Sequence, residues 1–129
     1  MLGQESHHND KDAGAAVLFD KGRSRFIETE NTFHIDYERI TRIKVYDESG
    51  LNYAEIEVPY YIFGSQDEEV VSITAVTYNL EKGQIVPKEL EQENIFDAKE
   101  NKYYRVKRFA LPDVKPGSII EYHVRKRIK

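Results

Sequence analysis

The sequence predicts an all-β domain, an antiparallel β-sandwich of seven or eight strands. Apolar residues recur with a period of two along most of the chain, turn residues separate these runs, and β-branched residues crowd one central segment, Val70 to Leu80. A length of 129 residues suits one such domain and buries roughly two-thirds of the unfolded surface.

Residues 1–14 are expected to be a flexible N-terminal arm, because Gln4 to Gly14 is polar and aperiodic; the sandwich is expected over residues 15–129. "AAVLFD" and "SRFIET" flank Asp20, Lys21 and Gly22 and read as a hairpin. From Phe33 to Val45 the odd positions are Phe33, Ile35, Tyr37, Thr41, Ile43 and Val45, with mostly polar even neighbours. That is a long half-buried strand, with Arg39 and Ile40 marking a bulge or a two-sided stretch. "DESGLN" then turns the chain and Ala54 to Val58 returns it. A register placing Lys44 opposite Glu55 also places Arg42 opposite Glu57, so a cross-strand ladder of these four residues is expected.

Val70 to Leu80 is β-branched on both faces and is expected to be the most buried strand. Glu81, Lys82 and Gly83 form a tight turn into "QIVPKEL", where Pro87 demands an edge position or a strand end. "EQENIFDAKEN" lacks clear periodicity and reads as a helical turn or a loop. "KYYRVKRFAL" and "SIIEYHVRKRI" alternate again, joined by a segment with a turn at Pro116 and Gly117.

Composition narrows the chemistry. No run of about 18 apolar residues is present, so no membrane span is expected. The chain has no cysteine, which removes disulfides, thiolate metal sites and a cysteine nucleophile. The start at Met1, Leu2 and Gly3 lacks the features of a signal peptide. The net charge of −4 conceals an asymmetry: nine bases and two acids from Lys102 onward (+7) against ten bases and twenty-one acids before it (−11). A basic end can bind polyanions, but basic strands also pair with acidic ones inside one sheet system, and that is the reading adopted. "KYYRVKRF" interleaves aromatics with bases but lacks the glycines of a single-strand RNA platform, so no nucleic-acid partner is expected.

Candidate sites are few. His7, His8, Asp10 and Asp12 could chelate a metal, but Gly14 is misplaced for a calcium loop and no distal glutamate follows. No metal and no cofactor are expected. Glu55 and Glu57 share a face, as a glycosidase pair would, but Arg42 and Lys44 as neighbours make ion pairs the better reading. No serine lies in a nucleophile motif and no phosphate-binding loop is present. No catalytic residue is therefore expected, and the chain reads as no enzyme. In "PYYIFG", Tyr60, Tyr61 and Phe63 follow a proline and are expected partly in a loop. They are the candidate binding residues, stacking on a glycan or anchoring a surface protein; the competing reading has them capping the core.

Several phrases, "DAGAAVLFDKG", "YERITRIKVYDESGLNYAEIEVPYY", "VSITAVTYNLEKGQIV" and "RVKRFALPDVKPGSIIEYHV", resemble a bacterial domain of unknown function. In that family the domain usually stands in front of a transglutaminase-like, papain-fold domain in exported or surface proteins. The resemblance runs from Asp12 to about Arg125. It implies a non-catalytic accessory or scaffolding domain, periplasmic or at the cell surface, whose partner is the downstream transglutaminase-like domain. A carbohydrate-binding module is the alternative. The family's domain usually continues past the last strand here, so the partner of "SIIEYHVRKRIK" is expected to be missing. A weak homodimer through that C-terminal strand follows as an expectation.

Overall fold

The computed structural model describes residues 14–28, 30–62, 64 and 67–128. The expected arm, with His7, His8, Asp10 and Asp12, lies outside the described residues apart from Gly14. Among the described residues eight strands form two antiparallel sheets, as the periodicity predicts. They are β1 (Ala15–Glu28), β2 (Phe33–Val45), β3 (Glu55–Tyr61), β4 (Glu68–Glu81), β5 (Gln84–Glu89), β6 (Phe96–Lys99), β7 (Tyr104–Ala110) and β8 (Ile119–Ile128). The larger sheet has the order β1-β2-β8-β4-β5 and the smaller β3-β7-β6.

The inner face of the larger sheet carries Thr41, Ile43, Ile73, Ala75, Thr77, Ile120 and Val124, all buried. Val58 and Phe109 of the smaller sheet complete the core, and Ile56 packs against it. Alternate residues enter because side chains point to opposite faces at successive positions.

The turn chemistry behaves as its residues demand. Lys82 and Gly83 both have positive φ, 51° and 77°, and connect β4 to β5 as a two-residue hairpin loop. Pro116 and Gly117 occupy the centre of a turn closed by Ser118 N–H donating to the Lys115 carbonyl at 2.9 Å, with Gly117 at φ 95°. Pro87 lies on β5, an outer strand, where a missing N–H costs nothing.

Several expectations are corrected. Asp20, Lys21 and Gly22 make no turn: β1 runs through them without a break, paired to β2, and its register shift lies at Val17 to Phe19, not at Arg39 and Ile40 of β2. Gly22 serves close packing, since a Cβ there would lie 2.9 Å from the Tyr37 hydroxyl. β4 is buried on one face only, through Ile73, Ala75, Thr77 and Asn79, because nothing covers its other side among the described residues. The aperiodic stretch holds both a helical turn, Gln92–Asn94, and the short strand β6.

The ladder of Arg42, Lys44, Glu55 and Glu57 does not form. Both edges of β2 are taken, by β1 and β8, while a 3-10 segment at Glu48–Ala54 carries the chain to the other sheet. Asp47 opens that segment by accepting from the Ser49 N–H at 2.9 Å. Arg42 instead meets Glu121 at 3.0 Å, Lys44 donates to the Gly117 carbonyl at 2.9 Å, and Glu57 meets Arg108 at 3.4 Å.

The C-terminal strand is no open edge. β8 is the centre of the larger sheet, paired to β2 and to β4 from Ile119 to Ile128, so the expected homodimer through it has no backbone to use.

Because Ile120 is wholly buried on this central strand, Ile120→Ala is expected to cost about 2–5 kcal/mol, read from urea unfolding of the isolated chain.

Candidate functional site

Two places gather polar and apolar groups that could act on something outside the chain. The larger is the outer face of the five-stranded sheet. Residues opposite each other in the register share a face, which puts Ile40, Arg42, Glu121, His123, Thr74, Val76, Tyr78 and Ile119 together there. A groove of about 490 Å³ runs between Ile40, Thr74, Val76, Tyr78, Glu89 and His123. A second hollow, about 380 Å³, continues it past Tyr78 to Leu80, Ile85 and Ile119. Leu80 is 72% exposed and Ile85 67%, large values for branched apolar side chains standing side by side across a hairpin. Towards the other end the face turns ionic. His123 Nε2 lies 3.3 Å from Glu38, outside hydrogen-bond geometry, Arg23 reaches Glu38 at 3.4 Å, and Arg127 bonds Asp36 at 3.2 Å.

The smaller place is built around Asp97 on β6. Its carboxylate accepts from the Tyr60 hydroxyl at 2.6 Å and from Arg105 Nε at 2.9 Å, and Lys107 Nζ lies 3.3 Å away. The register puts Asp97 opposite Lys107 and Tyr60 opposite Arg105, so one face of the smaller sheet brings all four together. Burial alone would raise the Asp97 carboxyl, but Tyr60, Arg105 and Lys107 outweigh it and hold it below the ordinary carboxylate range. Burial, with the Asp97 bond, raises the Tyr60 phenol in turn. A comparable clamp holds Asp20: Arg39 donates two bonds, at 2.9 and 2.7 Å, and lowers the carboxyl against the effect of burial. Each of these carboxylates is already neutralised by a neighbour, which suits it to fixing strands rather than to moving protons.

Tyr60 and Tyr61 are not in a loop. β3 continues through Pro59 and carries them on opposite faces, so they form no shared platform. Tyr60 is 9% exposed and belongs to the Asp97 cluster. Tyr61 packs edge-on against Tyr104, ring centroids 5.5 Å apart at 67°. Phe63 lies outside the described residues. The sequence reading missed Asp97, which sits in the aperiodic stretch where no pattern assigns a face. It also missed the outer-face groove, because alternation within a strand does not say which strands lie side by side.

Among the described residues no three metal-ligating side chains cluster, and no helix is long and apolar enough to cross a membrane.

Residues 32–129 match the family described as a domain of unknown function with solved structure, DUF3857, and the chain belongs to that family. No curated protein matches the sequence. The fold is similar to part of a crystal structure at 2.00 Å from Parabacteroides distasonis ATCC 8503, described as a "putative protease", with a TM-score of 0.56 and 11% identity. The match covers 74% of this chain and 20% of that one, so this chain spans about a fifth of its length.

The two low carboxyls set an expected pH dependence. A carboxyl held low in the fold stabilises it above the unfolded value, near pH 4, and that contribution is lost as pH falls through the folded value. Asp97→Asn with Asp20→Asn should therefore flatten the loss of stability on acidification below about pH 4, read as urea midpoints at successive pH values.

Proposed function

We propose that this chain is a non-catalytic accessory domain of a larger exported protein, in the periplasm or at the cell surface. Its role in this reading is to hold a transglutaminase-like domain of the same polypeptide. The observation that carries it is the outer face of the larger sheet, where Val76, Tyr78, Leu80, Ile85 and Ile119 make a contiguous apolar surface rimmed by Arg42 and Glu121. Open antiparallel sheets normally turn polar side chains to water on their free face, and an apolar stretch rimmed by charge fits a neighbouring domain.

The occupant proposed is a domain of the parent chain. The similar crystal structure supports this, since the shared fold takes up only a fifth of that chain. The cysteine-free composition agrees: a papain-fold nucleophile would have to come from another domain. The ionisable groups of this chain add support, because Asp97, Asp20 and Glu57 each sit with a base. The glycan alternative is weaker. Of its candidate residues, Tyr60 is buried against Asp97, and Tyr61 stands on the opposite face, packed edge-to-face on Tyr104, so the two offer no pair of coplanar rings.

In the full-length parent protein, the amides of β4 and β5 are expected to exchange more slowly than in the isolated chain. Leu80→Asp with Ile85→Asp should abolish that difference while changing the isolated chain's stability by only about 0.5 kcal/mol, as exposed sites allow. Equal exchange in parent and isolated chain would refute the docking role. The isolated chain is also expected to turn over none of a panel of peptide, ester and glycoside substrates. Turnover lost on replacing a single Glu or His would overturn the non-catalytic assignment.

A further inference from the structure

Each sheet has two outer strands, and three of the four carry a feature that discourages another strand from pairing. β5 has six residues and contains Pro87, β3 contains Pro59, and β6 has only four residues. β1 differs. It runs for fourteen residues without proline, and its one irregularity precedes Phe19. From Phe19 to Glu28 it is regularly paired to β2 on one side, and among the described residues nothing pairs with its other side.

The side chains along this edge form two rows. On the outer face stand Lys21, Arg23 and Arg25, opposite Ile40, Glu38 and Asp36. Arg23 reaches Glu38, whereas Lys21 and Arg25 have no ion-pair partner among the described residues. On the inner face stand Gly22, Ser24 and Phe26, two small residues followed by a ring that is 62% exposed and stacked on Phe33 at 5.2 Å. One row is cationic at every second residue; the other runs from Gly22, over which the Tyr37 side chain packs, through a small serine to an aromatic surface.

We propose that β1 is a strand-addition edge that takes an extended segment of a partner protein, with acidic residues alternating with apolar ones. Backbone hydrogen bonds would supply affinity, and the two side-chain rows would supply selectivity. Acids meet Lys21, Arg23 and Arg25; apolar residues lie along Gly22, Ser24 and Phe26. A second copy of this chain fits less well. An antiparallel pair centred on Ser24 keeps the two faces aligned but sets Arg23 against Arg25 of the other copy, and like charges directly opposite destabilise a sheet.

The probe is an end-capped, fluorescent peptide of five Glu-Val repeats, titrated into the chain and followed by anisotropy. Binding is expected to weaken at least about tenfold between low and high salt, and by a similar factor in the K21E/R25E variant, whose fold is checked by circular dichroism. Two further peptides, methylated on either the Glu or the Val amides, separate backbone pairing from simple charge attraction. A strand pairs through alternate N–H groups, so one of the two should lose binding, and β1 amides should gain protection from exchange on binding the parent peptide. Equal binding of a Lys-Val peptide, retention by both methylated peptides, or no effect of K21E/R25E would each overturn the proposal. So would sedimentation showing that the chain pairs with its own copy through β1.

Discussion

The structure depends on backbone pairing by its last strand. β8 is hydrogen-bonded on both sides, to β2 and to β4, strands that are otherwise not adjacent in the larger sheet. Without it, β1-β2 and β4-β5 would be two separate hairpins, and isolated two-stranded hairpins are marginal in water. Its side chains do comparable work: Ile120 and Val124 are buried in the core, and Tyr122 packs edge-on against Phe109 of the other sheet, 6.3 Å between centroids. The entry to β8 is fixed by a small buried network in which the Ser118 hydroxyl donates to the Asn79 side-chain carbonyl, and Asn79 donates to the Asp113 carbonyl at 2.9 Å. Ser118 is fully buried, so its hydroxyl needs that partner, and the partner sets where the strand begins.

Once β8 is central, the uncovered surfaces follow. Five strands in one sheet and three in the other leave the smaller sheet able to cover only part of the larger one's inner face. Beyond that cover, Phe26 and Phe33 are 62% and 63% exposed. The outer face has no third layer among the described residues, which is why Leu80 and Ile85 stand in solvent. The passage between sheets is constrained as tightly as the sheets themselves. Gly14 and Gly50 lie back to back, and a Cβ on either would fall inside the backbone of the other. Gly14 also accepts from the Tyr46 N–H at 2.7 Å, which ties the start of β1 to the end of β2.

Strand existence was legible in the sequence because a period of two needs only local information. Turns at Lys82–Gly83 and Pro116–Gly117 were legible for the same reason: positive φ is a property of the turn residues themselves. Pairing was not. The Arg42, Lys44, Glu55 and Glu57 register satisfied every local rule, yet β2 found its acidic partner in Glu121, nearly eighty positions away in the chain. Gly22 misled in an instructive way, since glycine marks either a turn or a close approach and only the position of the Tyr37 hydroxyl decides which. The Asp97 cluster was hidden because β6 is four residues long, too short to show a period. Exposed faces are legible last, because alternation says which side chains turn inward but not whether anything lies on the other side.

The uneven distribution of charge along the chain resolves through topology. The basic strands β7 and β8 are each the middle strand of their sheet, and acidic residues flank them. Arg127 meets Asp36, Glu121 receives Arg42, and Arg125 lies opposite Glu38 on the β2 side of β8. Arg105 and Lys107 meet Asp97, while Arg108 meets Glu57 at 3.4 Å and Glu100 at 2.5 Å. Exposed pairs of this kind are worth about 0–1 kcal/mol each, too little to hold the fold against hydrophobic terms of far larger size. Their effect is on order. A central strand interacts with neighbours on both sides, so a basic strand placed there is neutralised twice, whereas at an edge it would be neutralised once. β1 is the exception: its cations lie on an outer strand, where Arg23 reaches Glu38 of β2 while Lys21 and Arg25 have no ion-pair partner among the described residues.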